Sequence, residues 1–457
     1  MKFPWHRGGM RPKEPLSTLD SLPINNYTHF LEIPLKIVGC WDWYDHPKSV
    51  KEIIVNNVYF CMVLFVLINV PATLYIHLYT EWLDVMTSLD KLADCLPFVV
   101  SIIIVVYFGL YRKELYELTK FMQRKFHYRS ANGLTNMTML NSYKTARNFG
   151  YFYTACTMFS VSMYMIPEIV NRLKRQPLQS YMYMDVTRSP FFEFTLLRQC
   201  VAQAFVGLAM GQFGVFFASN AILLCGQLDL LCCSLRNARY TALLRCGVSH
   251  RSVAAAHSDI QGDELYNYIY NIAEMRQSIY HYDQRMSYEI MNKRSSFDIY
   301  SSEFDAATCE ALRDCARACD VINTFKAKFE SFVSPLLALR VVQVTMYLCM
   351  LLYAATLKLD MVTVEYLVAV ALDIFVYCFY GNQIIIQADR VSTAAYQSAW
   401  PTMGVRPRRL LLNILLANKR PVVVRAGNFL SMDLHTFVVI IKTSFSYYTL
   451  LVNVNEK

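Results

Sequence analysis

The chain has 457 residues, of which 55% are apolar and only 17% charged, against about 25% charged in a soluble domain. Its apolar residues gather into long runs, which excludes a multidomain soluble protein. The +9 net charge comes with no basic cluster interleaved with aromatics, which sets nucleic acid aside as a partner.

Residues 1–52 read as a cytoplasmic N-terminal segment. Residues 1–26 are polar, carry Pro4, Pro12, Pro15 and Pro23, and lack the apolar core of a cleavable signal. The first span is therefore expected to act as signal anchor. The stretch Ile33 to Trp43, with Gly39 and Trp41, is moderately apolar and is expected along the membrane interface, where Trp is favoured. Seven runs follow: Cys61 to Tyr79, Cys95 to Tyr111, Phe149 to Pro167, Phe194 to Leu228, Phe332 to Leu357, Val362 to Gln387 and Phe429 to Val454. Each reaches the roughly 17–25 residues that a helix needs to cross the hydrocarbon core. An open sheet would leave its edges unsatisfied in lipid, and no alternating barrel strands occur. The expected fold is an all-α membrane protein with seven transmembrane helices.

Lys and Arg set the orientation. Thirty-four of the 44 fall on one side of the predicted bundle and six on the other; Lys91, Arg198, Arg340 and Lys442 lie in or beside the spans. By the positive-inside bias the N-terminus is cytoplasmic and the C-terminus extracellular. The sequons at Asn26 and Asn136 then lie inside and are expected to be unused. The resulting organisation places helices 1–4 in 53–228, cytoplasmic helices with an insertion in 229–331, and helices 5 and 6 in 332–388. An anchor-helix region follows in 389–428, and the last helix with an extracellular tail in 429–457.

Three amphipathic cytoplasmic segments stand out. Span 4 continues through Leu228, Leu231 and Leu235 and, after an Arg-rich turn, into Leu243-Leu244. Span 5 is preceded by Thr308 to Glu330, where Leu312, Cys315, Cys319, Ile322 and Phe329 recur at helical spacing. Span 7 is preceded by Arg408 to Ala417, where Leu411, Ile414 and Leu415 belong to a compact apolar face. They suggest a docking collar whose subunit contact includes those three residues; helices resting on the headgroup layer are the alternative. The polar stretch 247–302 between them reads as a mobile insertion. Catalytic signatures are missing, and Cys309, Cys315 and Cys319 have no matching His pair. Neither a metal, a cofactor nor enzymatic activity is expected.

The last span is two-faced at 100° per residue. One stripe holds Met432, Thr436, Val439, Thr443, Ser446 and Leu450; the opposite face holds Leu434, Phe437, Ile441, Phe445, Tyr448 and Val452. A small or hydroxylated face on a spanning helix packs against or lines something. Lys442 lies about 80° from the stripe's centre and is expected to reach a neighbour or water.

The C-terminal third carries a resemblance. Tyr377-Cys378-Phe379-Tyr380-Gly381-Asn382 is followed by Ala394 to Trp400, Arg408 to Leu416, Lys419-Arg420-Pro421, Ala426 to Phe429, and Lys442-Thr443-Ser444-Phe445-Ser446-Tyr447-Tyr448-Thr449-Leu450-Leu451. In this order, with inverted seven-helix topology, the series resembles insect odorant receptors of the ligand-tuning kind and not their co-receptor, which ends in Tyr-Phe-Met-Val. The insertion before Thr308 is longer than is typical. The resemblance implies a cation channel of four subunits around one pore, opened by a volatile odorant and shared with the co-receptor. The setting is the plasma membrane of olfactory sensory neurons, with lipid and permeant cations as further partners. It implies that Val439, Thr443, Ser446, Leu450 and Asn453 line the pore, with Leu450 at the gate.

The same resemblance implies an odorant site between spans 2, 3, 4 and 6. On this chain those faces are Leu92, Cys95, Leu96 and Val99; Phe159, Ser160, Met163 and Tyr164; Gln199, Ala202 and Gln203; and Val370, Asp373, Ile374 and Tyr377. Asp373, a carboxylate at mid-membrane, is expected to orient a donor on the ligand or to bond Gln199 or Tyr164. Each of these residues has helix packing as its alternative role. A gustatory-type receptor would share the topology but end in a Thr-Tyr and Gln-Phe pattern. A G-protein-coupled receptor would put its N-terminus outside, and a transporter would show internal repeats.

Overall fold

The computed structural model describes residues 29–45, 47–80, 85–127, 139–173, 191–249, 252–253, 296–357, 361–419 and 422–455. The longest helices are α2 (Val50–Thr80), α3 (Val85–Leu110), α5 (Leu140–Leu173), α6 (Phe191–Arg236), α8 (Asp305–Leu357), α9 (Met361–Tyr396) and α11 (Leu434–Asn455). Each contains most of one expected span. Shorter helices are α1 (His29–Val38), α4 (Arg112–Lys125), α7 (Ala238–Arg245) and α10 (Val405–Ala417). A two-stranded hairpin, β1 (Arg425–Ala426) and β2 (Leu430–Ser431), precedes α11. Among the described residues four helices are long and apolar enough to cross a membrane, or five if α3 and α4, bent by 69°, count as one span. α5 and α11 are packed alongside them, α5 on α6 and α11 on α8.

α6 is the centre of the bundle. Every residue from Gly211 to Leu224 is buried, and α5 and α9 lie along its two sides. Small residues permit the α5 contact: a Cβ at Gly207 would overlap Val161, and one at Gly211 would lie 2.8 Å from Thr157 Oγ1. Phe213, Phe216 and Phe217 meet Phe108 of α3, Phe329 and Phe332 of α8 and Tyr377 of α9, with Phe108–Phe332 centroids 5.3 Å apart and Phe217–Tyr377 centroids 5.4 Å apart. Edge-to-face rings in this packing specify the register of four helices.

α8 departs from the expected division at 331/332. It is one helix of 53 residues, roughly 80 Å long at 1.5 Å per residue, so the predicted cytoplasmic helix and span 5 are a single rod. The apolar face of the lower segment continues into the span without a break, and nothing interrupts it but Pro335. Near that proline, carbonyls just before it accept outside bonds: Phe332 O from Tyr107 Oη at 2.9 Å and Ser334 O from Gly427 N at 3.0 Å. α9 likewise runs past the division expected at 388. The last helix begins at Leu434 and not Phe429, because Asp433 caps it, accepting from Thr436 N at 2.8 Å. Met432, assigned to the small-residue stripe, lies before the helix and is fully buried. α1 also differs from a purely interfacial helix: Leu31, Leu35 and Val38 are buried, and α1 packs on α6.

The charged end of the bundle is organised by Arg239. This side chain is fully enclosed and gives five hydrogen bonds: to Ile299 O from Nε and Nη2 (3.2 and 2.7 Å), to Ser301 O (2.9 Å), to Asp305 Oδ1 (3.0 Å) and to Thr308 Oγ1 (2.9 Å). Its five donors are all used. Burial presses the guanidinium pKa down, and the Asp305 contact opposes that. Asp305 in turn accepts from Gly404 N at 3.2 Å, so one cation ties α7, the segment before α8, and the approach to α10. Arg239→Met removes the cation from Asp305 and the donor from two carbonyls, and is expected to cost about 3–5 kcal/mol. Arg245→Met, at an exposed pair with Asp314, should change little. Thermal unfolding of the two purified variants in detergent checks this; equal midpoints would contradict it.

Candidate functional site

A cavity of about 590 Å³ opens between α3, α5, α6, α8 and α9, within the range of small-molecule pockets. Its walls are mostly apolar: Pro97 and Phe98 from α3, Phe159 and Val161 from α5, Val206 and Met210 from α6, Val344 from α8, and Val364, Val368 and Leu372 from α9. Gly207 and Gly211 also line it, so the close α5–α6 approach and the shape of the cavity have one origin.

Polar groups collect at the end of the cavity farther from the α8–α9 connection. Arg340 of α8 is 2% exposed and Asp373 of α9 is 9% exposed. Arg340 Nη2 is bonded to Asp373 Oδ2, and Nη1 to Gln343 Oε1. Tyr153 Oη donates to Asp373 Oδ1 at 3.0 Å. Three helices thus share one buried ion pair. Asp373 is the expected mid-membrane carboxylate, and among the described side chains Arg340 and Tyr153 bond it. A cation on the facing helix answers a buried carboxylate far better than an amide does.

Phe159, Ser160, Gln203, Val370 and Asp373 line the cavity. Ala202, Ile374 and Tyr377, also expected there, are fully buried in helix packing; Tyr377 sits below the floor against Phe213 and Phe217. Val99 and Met163 are 42% and 37% exposed, and with Cys95, Leu96 and Gln199 they lie outside the lining. The side chains of Leu92 and Tyr164 lie outside the described residues. The α8 wall was absent from the expectation. Its signal was present in sequence: Arg340, Gln343 and Tyr347 share one helical face, and Arg340 is one of few charges within a predicted span.

α11 leans on α8 through Ile440 and Ser444, which are buried, with Ser444 Oγ 3.5 Å from Thr345 O. Val439, Lys442 and Ser446 are exposed on the single chain and Thr443 half-buried; the side chains of Leu450 and Asn453 lie outside the described residues, although the helix runs through both. At the charged end, Leu411 and Ile414 are buried against α8 within this chain, with Leu415 half-buried. Leu411 and Ile414, expected at a subunit contact, are thus taken up within this chain, while Leu415 keeps part of its surface open. The leucines that α10 leaves free are Leu412 and Leu416, 53% and 59% exposed. An Asn418–Cys319 contact of 3.3 Å and the seven-residue repeat of the buried face on α8 hold α10 in this rotation. The insertion at 254–295 lies outside the described residues. No group of residues suited to hold a metal is found among the described residues.

The chain is 23% identical over 427 residues to Odorant receptor 83a of Drosophila melanogaster, covering 90% of each. It is 27% identical over 163 residues to Odorant receptor Or2 of Anopheles gambiae, covering 35% of this chain and 43% of that one. Its fold matches the olfactory receptor OR5 of Machilis hrabei, solved in complex with eugenol, with a TM-score of 0.68 and 15% identity over 94% of this chain and 99% of that chain. The family model for the 7tm odorant receptors matches residues 84–445, and the chain therefore belongs to the 7tm odorant receptor family, a multi-pass membrane receptor and not an enzyme.

Proposed function

We propose that this chain is the odorant-binding subunit of a ligand-gated, non-selective cation channel, acting in the plasma membrane of olfactory sensory neurons together with co-receptor subunits. The observation that carries this reading is the cavity of about 590 Å³, apolar on its walls and polar at one end, with α8 as a wall that also seats α11. Such a space suits one small volatile molecule. The structural relative solved with eugenol supports that ligand size. α8 connects the site to the last helix over a short path, since Gln343 lines the cavity and Thr345 meets Ser444.

In this reading α11 lines the pore through Val439, Thr443 and Ser446, and Leu450 with Asn453 lies nearer the outer mouth. The exposed hydroxyl of Ser446 and the half-buried one of Thr443 can help solvate a passing cation, while a ring of Leu450 side chains closes the path by dewetting. The subunit contact at the charged end falls on Leu412 and Leu416, leucines that α10 does not use internally.

Three experiments test the reading. Ser160→Trp fills the cavity from α5 and should raise the half-maximal odorant concentration at least about tenfold, with surface assembly retained; an unchanged dose–response would move the odorant elsewhere. Leu412→Glu with Leu416→Glu should abolish co-purification with the co-receptor while the chain still inserts, because unpaired carboxylates at an interface cost several kcal/mol; intact heteromers would exclude this contact. Leu450→Ser should raise odour-independent current by hydrating the closed pore, and the rise should be partial because co-receptor subunits complete the ring. Basal current and selectivity equal to the parent's, in channels shown to contain the variant, would remove Leu450 from the gate.

A further inference from the structure

We infer that the cavity selects neutral odorants with an acceptor oxygen, a carbonyl or ester, and that the Gln343 side-chain amide is the donor that reads it. The inference rests on the odorant-binding reading above and names the ligand class of that site. Gln343 is 4% exposed and lines the cavity from α8. Its amide orientation follows from chemistry: the neighbouring Arg340 guanidinium only donates, so the Gln343 carbonyl oxygen must face it, as found. The amide nitrogen is thereby turned away from Arg340. Among the described residues it makes no hydrogen bond. The nitrogen is not among the fully enclosed atoms that lack a partner; on a residue that lines the cavity, it can donate to a ligand oxygen there.

The charge state of the ligand follows from the same cluster. Arg340 is answered by Asp373, and the second oxygen of Asp373 accepts from Tyr153. The floor therefore holds one cation and one anion already paired. An odorant ammonium would enter beside a guanidinium, and an odorant carboxylate beside Asp373. Either would be desolvated with no free counter-charge. A neutral acceptor meets neither repulsion, and its hydrocarbon portion rests on Val206, Val344 and Val368.

The test uses channels of this chain with the co-receptor and ligands matched in shape: acetophenone against isopropylbenzene, and methyl hexyl ketone against its hydrocarbon analogue, with benzoate and benzylamine as charged counterparts. Each ketone should act at about a tenfold lower concentration than its hydrocarbon, the worth of one hydrogen bond. Gln343→Leu should remove that advantage by weakening the ketone far more than the hydrocarbon. Gln343→Glu keeps an acceptor for Arg340 but has no donor, and it should remove the advantage as well. That second variant separates the reading of the ligand from support of Arg340. Hydrocarbons as potent as ketones, a preference for either charged ligand, or equal weakening of ketone and hydrocarbon in both variants would overturn the ligand class while leaving the proposed function intact. Silence of the whole panel, in channels shown at the cell surface, would remove the odorant reading and the ligand class together.

Discussion

The arrangement of the outer bundle depends on one ion pair. Arg340 and Asp373 lie on neighbouring helices, each nearly enclosed, with Tyr153 of a third helix on the carboxylate. Neither charge could be left alone at this depth, since an isolated ion in a low-dielectric interior costs several kcal/mol even after relaxation. Apolar side chains tolerate small sliding movements between helices, but a paired guanidinium and carboxylate do not. The pair therefore pins α8 against α9, and the tyrosine pins α5 to both. The cavity is the space left above this anchor, where Gly207 and Gly211 bring α5 close to α6 and α9 packs on both.

Hydrophobic length made the fold legible. Seven apolar runs lie in seven long helices, and among the described residues four of these, or five with the bent α3–α4 pair, are long and apolar enough to cross a membrane. What could not be read from composition was continuity. The junction between the lower and upper parts of α8 is polar enough around Lys326, Lys328 and Glu330 to look like a boundary. There, Lys326 and Glu330 pair at 2.5 Å one turn apart, and the helix proceeds. Local charge is compatible with a helix that leaves the membrane without ending.

The candidate site was half legible for a related reason. Residues such as Ser160, Gln203 and Asp373 were expected from the faces that family resemblance assigns, and they line the cavity. Tyr377 and Ile374 were expected with them, but the rotation of α9 is decided by aromatic packing below the cavity, where Phe213 and Phe217 hold Tyr377. Rotation about a helix axis is a long-range property, set by partners distant in sequence. The same holds for α10, whose most compact apolar face, at Leu411 and Ile414, is consumed by its own chain. An amphipathic pattern states that a face is buried and is silent on whether the partner is the same molecule.

The continuity of α8 places four duties on one rod. Its lower part carries Asp305 and Thr308 for Arg239; its middle accepts the hairpin through Ser334, which bonds Asn428 N at 3.0 Å; its upper part supplies Arg340 and Gln343 to the cavity and Thr345 to α11. Ligand can move such an equilibrium only by the difference between its contacts in two states. Apolar walls change little when neighbouring helices slide by a fraction of a turn, because dispersion contacts are exchanged for similar ones. A hydrogen bond to a fixed amide is lost over less than an ångström. A directional contact on α8 therefore discriminates between positions of the rod better than the surrounding hydrophobic surface can. One bond of that kind is worth about tenfold in an equilibrium, far below the roughly 10⁴-fold needed to drive a two-state switch from closed to open by itself. In the proposed channel, one subunit with such a contact would bias a pore that the other subunits already hold close to balance.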